Sequence, residues 1–335
     1  MSTPGPRRIT IKDVAELAGV GVATVSRVLS GGSASAETRE RVLDAATKLD
    51  YRPSALGRNL RQQRSGGVAL LVPDITDGFY ARLCDGVLSC ARSYREPVTI
   101  GVTGDDAEQE ADLVGGLLEQ SMDRIIAVPS GDGEMWASAV RAGLNVVFAD
   151  RRVWSPGQHA RTLDEVPAVL SDDRSGLRTA IEYLTGLGHR KIGFLARQGM
   201  SQRVAAFREV MGDLLDEDLV VFARASRDSA YAAAAGLFQR RADLTAVIAG
   251  GNMLGEAAVL AARELYVRIP RDLSLIMFDD VPWAELCSPP LTVIAQPASD
   301  VGYRAAELVL RHGRRPRTVS LPTELIVRSS CGPRR

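Results

Sequence analysis

Apolar positions along the chain change their period near residue 66. Ahead of it, Ile11, Val14, Ala15 and Ala18 recur at helical spacing, as do Val25, Val28 and Leu29, and then Val42, Ala46 and Leu49. Thr10 and Asp13 form a capping-box pair for the first of these helices. Ser35 caps the third, and Tyr51-Arg52-Pro53 stops it because Pro53 restricts the residue before it. Beyond Gly66 the pattern becomes short apolar runs: GVALLVP, PVTIGVT, RIIAVP and NVVFAD, then AVLS, KIGFLA, LVVFA, AVIAG and LSLIMF. Most neighbouring runs enclose an amphipathic stretch such as FYARLCDGVLSCARSYR, which predicts βαβ units and parallel sheet. The runs form two sets separated near residues 152 to 167, so two similar subdomains are expected.

Between the first two helices lies AGVGVATVSRVLSG. Gly19, Gly21 and Thr24 loosely imitate a dinucleotide-binding turn, but that turn needs a buried strand ahead of it. TIKDVAELA is a helix instead, so the glycines join two helices, as in a helix-turn-helix. Val25, Val28 and Leu29 are then expected to pack against Val14 and Leu17. Val22, Ala23, Ser26 and Arg27 point the other way. Small side chains let a helix sit deep in the major groove, where short apolar groups touch thymine methyls, and Arg27 can reach a guanine edge or a phosphate. A solvated helix on a small bundle is the bland alternative, and it leaves SALGRNLRQQRSGG unexplained. In that stretch Arg58, Arg61 and Arg64 stand at intervals of three, and Leu56 and Leu60 are four apart. It reads as a solvated linker in free protein and as a short helix on DNA, with Leu60 wedged between base steps from the minor groove.

Composition sharpens this division. Net charge over the 335 residues is zero, but residues 1–67 carry 11 Lys/Arg against 6 Asp/Glu, a surplus of five positive charges. The remainder carries 30 against 35, five negative. A basic end on an acidic body is an electrostatic footprint for DNA confined to that end. No run of about 18 apolar residues would span a membrane, and MSTPGPRRIT lacks a signal-peptide core. Cys84, Cys90, Cys287 and Cys331 make no CxxC pair and read as thiols in a reducing cytoplasm. No metal and no cofactor is expected.

In open parallel sheets, ligands bind outside the carboxyl ends of the strands. The polar residues at those ends are Asp74, Asp150, Asp279 and Gln296; Phe79 and Tyr80 follow the first strand, and Arg203 opens the helix after KIGFLA. An Asp just past a strand commonly caps the next helix, which is the reading for Asp173 and Asp280. Phe79 also reads as core, and His189 in LGHRK as helix-end chemistry. Carboxylates that accept from paired hydroxyls, an arginine fork and aromatic rings facing one cleft suit a polyhydroxylated ligand.

Residues 10 to 53, from TIKDVAELAGVGVATVSRVLSG through TRERVLDAATKLDYRP, resemble the headpiece of the LacI/GalR family of bacterial transcription regulators. LLVPDITDGFY, VVFADR, LGHRKIGFLA, FDD and PPLTVIAQP follow in the family's order and spacing. The resemblance implies an all-α helix-turn-helix headpiece at 1–53 and a hinge helix at 54–66. It also implies an α/β core of the periplasmic-binding-protein type at 67–335, built of two parallel-sheet subdomains. Their expected bounds are about 67–163 with 291–317, and about 164–290 with 318–330. PPLTVIAQP and its helix would return to the first lobe, and residues 318–330 to the second. Val22, Ala23 and Arg27 would read bases and Leu60 would be the hinge leucine, with Thr10, Thr24, Ser26, Arg58 and Arg61 completing the DNA contacts. Asp74, Phe79, Tyr80, Asp150, Arg203, Asp279 and Gln296 match the effector positions, and Tyr231 matches an aromatic that closes the pocket. Gly21 stands for a capping serine, and Ser54 and Gly57 stand for Asn and Ala; Gly57 makes the hinge helix dearer by about 1 kcal/mol relative to Ala. Gly251-Asn252 falls where the family has Asn-Asp, so Asn252 is the nearest amide.

Three function classes compete. A DNA-binding regulator with a small-molecule switch uses headpiece, hinge and body together. A secreted solute-binding protein needs an export signal and has no use for the headpiece. An enzyme would need a phosphate loop, a metal cluster or a nucleophilic triad, and the sequence offers none. The expectation is a cytoplasmic homodimeric repressor on a palindromic operator, answering to a sugar or polyol; a nucleoside, purine or acid is the alternative effector. No leucine heptad follows IVRSSCGPRR, so no tetramer is expected.

Overall fold

A computed structural model describes residues 9–29, 32–51, 67–120, 122–131, 133–153, 160–311 and 316–334. The expectations on Ser54, Leu56, Gly57, Arg58, Leu60, Arg61 and Arg64 lie outside the described residues. The chain divides into two compact units, at Gly66–Gly67.

In the first unit, α1 (Ile11–Ala18), α2 (Val22–Leu29) and α3 (Ala36–Lys48) enclose one small core. The Thr10 N–H and hydroxyl both donate to Asp13 Oδ2, each at 2.7 Å. Ser35 Oγ accepts from the Thr38 N–H at 3.2 Å, the cap expected of it. Gly19 ends α1 at φ +63°, and the Val20 N–H closes back on the Ala15 carbonyl. A side chain at Gly19 would be strained and would also meet the Arg41 guanidinium, which itself donates to the Ala18 carbonyl. Val14, Ala15, Ala18, Val25, Val28, Val42, Ala45 and Ala46 are buried together. Leu17, expected among them, is 53% exposed. At about 100° per residue it sits far round the helix from the stripe of Ile11, Val14, Ala15 and Ala18.

The second unit holds two six-stranded sheets. The first runs β11-β5-β4-β3-β1-β2 and the second β12-β10-β9-β8-β6-β7. The first is parallel throughout, and the second is parallel apart from its β10–β12 pair. The strands are β1 Val68–Val72, β2 Val98–Val102, β3 Arg124–Ala127, β4 Asn145–Ala149, β5 Ala168–Ser171, β6 Ile192–Arg197, β7 Val220–Ala223, β8 Ala246–Ala249, β9 Ser274–Phe278, β10 Thr292–Ala295, β11 Thr318–Leu321 and β12 Glu324–Ile326. Every residue of β1, β8 and β9 is buried, as parallel strands covered on both faces require. Helices α4 (Gly78–Ser93), α5 (Ala107–Glu119), α6 (Gly133–Arg141) and α7 (Ala160–Asp164) precede β5. Then come α8 (Asp173–Gly186), α9 (Ser201–Met211), α10 (Arg227–Arg240), α11 (Asn252–Glu264), α12 (Pro282–Leu286) and α13 (Ala298–Leu310).

Three strands sit in the other lobe from the one expected. PPLTVIAQP supplies β10, which pairs with β9 in the second sheet, Val293 against Met277. Only its helix, α13, returns to the first lobe. Residues 318–321 pair with 168–171 in the first sheet, so β5 and β11 both belong there, and β12 alone of the 318–330 segment joins the second. Hydrophobic periodicity identifies a strand but carries no record of its partner. The subdomain bounds near 164, 291 and 318 therefore move. α13 lies against α4 at two glycines, where a Cβ on Gly86 would overlap the Ser299 carbonyl and one on Gly302 the Leu83 carbonyl.

Candidate functional site

On α2, Val25 and Val28 are buried, whereas Ala23 and Arg27 are exposed and Val22, Thr24 and Ser26 are half-buried. Thr10 is exposed at the start of α1. The face expected to meet bases thus presents small groups and one guanidinium. Nothing lies within 4 Å of where a Gly21 Cβ would stand, so the missing cap residue reflects no lack of room.

A cleft of about 400 Å³ lies at the carboxyl ends of both sheets, lined by Asp74, Phe79, Tyr80, Asp150, Arg203, Asn252, Asp279 and Gln296, eight of the nine residues expected to bind an effector. From the first lobe, β1 leads into Asp74, whose Oδ1 is held at 2.7 Å by the N–H and hydroxyl of Thr76. Phe79 and Tyr80 are buried in the first turn of α4 with rings edge-on at 5.2 Å. The Tyr80 hydroxyl donates to Asp150 Oδ2 at 3.3 Å. Asp150 follows β4 at φ +66°. Burial pushes its carboxyl up, against the pull of Arg203 and Arg151.

From the second lobe comes Arg203. Its Nε and Nη2 grip both oxygens of Asp173 at 2.8 and 3.1 Å, and its Nη1 donates to the Gly250 carbonyl at 2.6 Å. Nη2 also reaches Gln296 Oε1 at 3.0 Å, and the guanidinium lies 4.1 Å above the Phe278 ring. Burial alone would lower its pKa, but Asp173 and, less directly, Asp150 and Asp279 hold it above the usual arginine value. Gln296 passes the connection on, donating to Asp279 Oδ1 at 2.6 Å. Asp279 follows β9 at φ +76°, is 7% exposed, and also accepts from the Asn252 N–H at 3.3 Å. Burial pushes it up to about 6 despite Arg203.

Three expectations need correcting. Tyr231 is not in the cleft: it lies in the second turn of α10, and its hydroxyl donates to Glu264 Oε2 at 2.5 Å on α11. The residue after β7 that reaches the cleft is Ala225. Asp173 is not a helix cap; Asp172 caps α8 by accepting from the Ser175 N–H at 3.0 Å, which leaves Asp173 for Arg203. Asp280 does not cap α12 either, and accepts instead from Arg328 Nη2 at 2.8 Å.

Comparison with known proteins decides what this arrangement belongs to. Residues 10–54 match the model for bacterial regulatory proteins of the lacI family, and residues 181–331 match a periplasmic binding protein-like domain. The HTH-type transcriptional regulator DegA of Bacillus subtilis is 31% identical, over 97% of this chain and 99% of that protein. The chain belongs to the LacI family. It is a DNA-binding transcriptional regulator and not an enzyme. Among solved structures, that of a transcriptional regulator CelR–cellobiose complex is 30% identical, covers 96% of this chain and 100% of its own, and superposes with a TM-score of 0.70. A lac repressor dimer bound to operator, at 22% identity and a TM-score of 0.81, covers 97% and 100% and shares the fold.

This LacI-family cleft also uses residues that the sequence reading passed over. Asp77 caps α4 and accepts from Asn252 Nδ2 of the opposite lobe at 2.9 Å. Asp105, after β2, pairs with Arg151 at 2.5 Å and with Arg197 from the end of β6. Both aspartates follow strands, the very signal applied to β1, β4 and β9. It had not been carried into TGDD or past the first aspartate of PDITD.

Proposed function

We propose that this LacI-family regulator is a repressor, released from or fixed on its operator by a hydroxyl-rich small molecule held between the two lobes. The reading rests on one observation: Asp150 from one lobe and Asp279, Gln296 and Arg203 from the other line a single cleft. Among the described residues no arginine forms an ion pair with Asp150 or Asp279: Arg203 pairs with Asp173, and both Arg151 and Arg197 pair with Asp105. Such carboxylates accept from ligand hydroxyls. The family resemblance to a protein solved with cellobiose supports a sugar. Asp74, largely committed to its own turn, would contribute at the mouth, and Asn252 from the rim.

On DNA, Val22, Ala23 and Arg27 would read base edges with Thr10, Thr24 and Ser26 alongside, in a homodimer facing two half-sites. Leu60, Arg58 and Arg61 would form the hinge contacts. An effector that prefers one arrangement of the lobes shifts the operator-binding population, and a coupling of about 1–3 kcal/mol suffices. The test is calorimetric titration with sugars, polyols and nucleosides, followed by operator binding with each hit. Asp150→Ala should weaken the hit by roughly 1.5–3 kcal/mol, the worth of charge-assisted hydrogen bonds, and leave operator binding without ligand intact. An Asp150→Ala variant that binds every hit as the parent does would remove the cleft from consideration.

A further inference from the structure

Helix α2, the element proposed to read bases, spans eight residues, too few to be stable alone. Its direction is therefore set by what packs on it and by what holds its ends. One face is fixed by Val25 and Val28 in the headpiece core. Both ends are held from α3, by two arginines two positions apart. Ahead of α2, Arg41 Nη2 donates to the Ala18 carbonyl at 2.5 Å and reaches the Gly19 carbonyl at 3.4 Å. The last carbonyls of a helix have no partner within it. α1 has no basic residue in its own last turn, so Arg41 supplies the cation that a helix C-terminus favours. Behind α2, Arg39 Nη2 donates to the Gly32 carbonyl at 2.7 Å, and the Gly32 N–H donates to the Arg27 carbonyl at 2.8 Å. Gly32 also lies against the Arg27 stem: a Cβ there would stand 2.7 Å from Arg27 Cγ and 3.1 Å from its carbonyl oxygen. Arg39 thus bears on Arg27 through a single residue. Among the described residues neither Arg39 nor Arg41 pairs with a carboxylate; each is committed to carbonyls at the ends of α1 and α2.

We propose that Arg39 and Arg41 are positioning residues for operator recognition. They clamp α2 by its two ends, and Arg39, through Gly32, aims the Arg27 side chain. An arginine reads a guanine edge through two hydrogen bonds of fixed geometry, whereas non-specific binding rests on charge. Loss of the clamp therefore costs discrimination between sequences and leaves non-specific binding in place. The proposal rests on the reading of Arg27 as a base contact and adds what aims it.

The experiment uses the full chain, a duplex that the parent protein selects from a randomised pool, and the same duplex with its half-sites scrambled. Arg39→Met and Arg41→Met keep a side-chain stem and remove the donors. Each should weaken binding to the selected duplex about tenfold, which is about 1.4 kcal/mol, and leave the scrambled duplex within about twofold. Gly32→Ala retains both arginines but displaces the Arg27 stem, and it should lower the preference for the selected duplex in the same way. Lys48→Met removes a charge from α3 at a residue that pairs with Asp44, and it should alter neither affinity. Arg27→Met should lower the preference at least as far, and adding Arg39→Met to it should take away less than about twofold more, because Arg39 acts through Arg27. Melting curves establish that each variant is folded at the assay temperature. Equal weakening on both duplexes, with a salt slope shallower by about one, would make the two arginines phosphate contacts. A lower melting temperature with both affinities kept would leave them a part in stability alone. Either result overturns the clamp, as do a parent-like preference in Gly32→Ala, a loss in Lys48→Met equal to theirs, or a fully additive double variant. In all these cases an Arg27→Met variant that loses its preference leaves the base-reading assignment standing. An Arg27→Met variant with the parent's full preference overturns both.

Discussion

Asp279 is the residue at which protonation and ligand binding meet. Its carboxyl is pushed up to about 6 by burial, against the opposing pull of Arg203. Ligand hydroxyls donate to it when it is ionised, so effector affinity should climb as pH rises through about 6 and then level off. The stability effect has the opposite sign. A carboxyl whose folded pKa exceeds its ordinary value of 3.8 favours folding fully below that value, and the contribution is lost as pH rises through about 6. Asp279→Asn removes the titration. Its ligand affinity should be flat across this range, and its melting temperature should fall less than the parent's between about pH 4 and pH 7. A parent whose affinity shows no inflection near 6 would refute the assignment. At this scale the sequence was a good guide to which residues line the cleft and a poor one to what they bond. Strand-end position singled out Asp150, Asp279 and Gln296, because the end of a parallel strand has only one place to point. That Arg203 is held by Asp173 depends on α8 and α9 lying side by side, which neither segment encodes alone. Tyr231 misled because position along a helix fixes its direction, and the second turn of α10 faces α11.

Among the elements, the α4–α13 contact shows most plainly what the sequence conceals. The sequence marked α4 by its amphipathic pattern and α13 only through the family resemblance, and neither signal showed their closeness, which depends on Gly86 and Gly302 lying against each other's backbones. A Cβ at Gly302 would overlap the Leu83 carbonyl and crowd the Val87 N–H at 3.1 Å. Gly302→Ala must therefore push α13 away from α4, an overpacking that typically costs about 1–3 kcal/mol. Denaturant unfolding should show that loss for Gly302→Ala and almost none for Gly115→Ala, where no atom lies within 4 Å of the added Cβ and alanine is the better helix former. Equal effects at the two sites would mean that α13 is free to shift. The exchanged strands β5, β10 and β11 teach the same lesson. AVLS was recognised as a strand, whereas PPLTVIAQP and residues 318–330 were assigned to lobes through the family resemblance; the sheet of all three was misread because pairing is decided by crossings that leave no local mark. His189 was read correctly as helix-end chemistry, since its N–H closes on the Leu184 carbonyl. Its ring does more, sitting between Thr245, Ser274 and the Gly332 carbonyl at 2.9 to 3.0 Å and fastening the chain's last residues to the second sheet.

In the second unit taken whole, the two lobes are tied across the cleft by the protein itself. Asn252 Nδ2 donates to Asp77 at 2.9 Å, Arg197 pairs with Asp105, and Arg82 donates to the Asp280 carbonyl. These bonds favour the closed arrangement of the lobes in which they form over a more open one, and under the proposed reading an effector that bridges Asp150 and Asp279 adds to that bias. Asn252→Ala removes one such bond, and a net hydrogen bond is worth about 1 kcal/mol, so the open population should grow roughly fivefold. A ligand can shift an equilibrium only by its differential affinity for the two states, and the coupling is reciprocal. Two consequences are tied together. Effector affinity should fall, by up to that factor, because closure now costs more. Without effector, operator affinity should move in the direction opposite to the one the effector itself produces, because the variant and the effector bias the same equilibrium in opposite senses. Asp77→Ala should reproduce both changes, and the double variant should add little to either single one, since each removes the same bond. Titration with the effector and operator binding measured on all three variants decide the matter. A loss of effector affinity with no change in operator binding would show that Asn252 acts through its contact with the ligand alone and does not set the balance between the lobes.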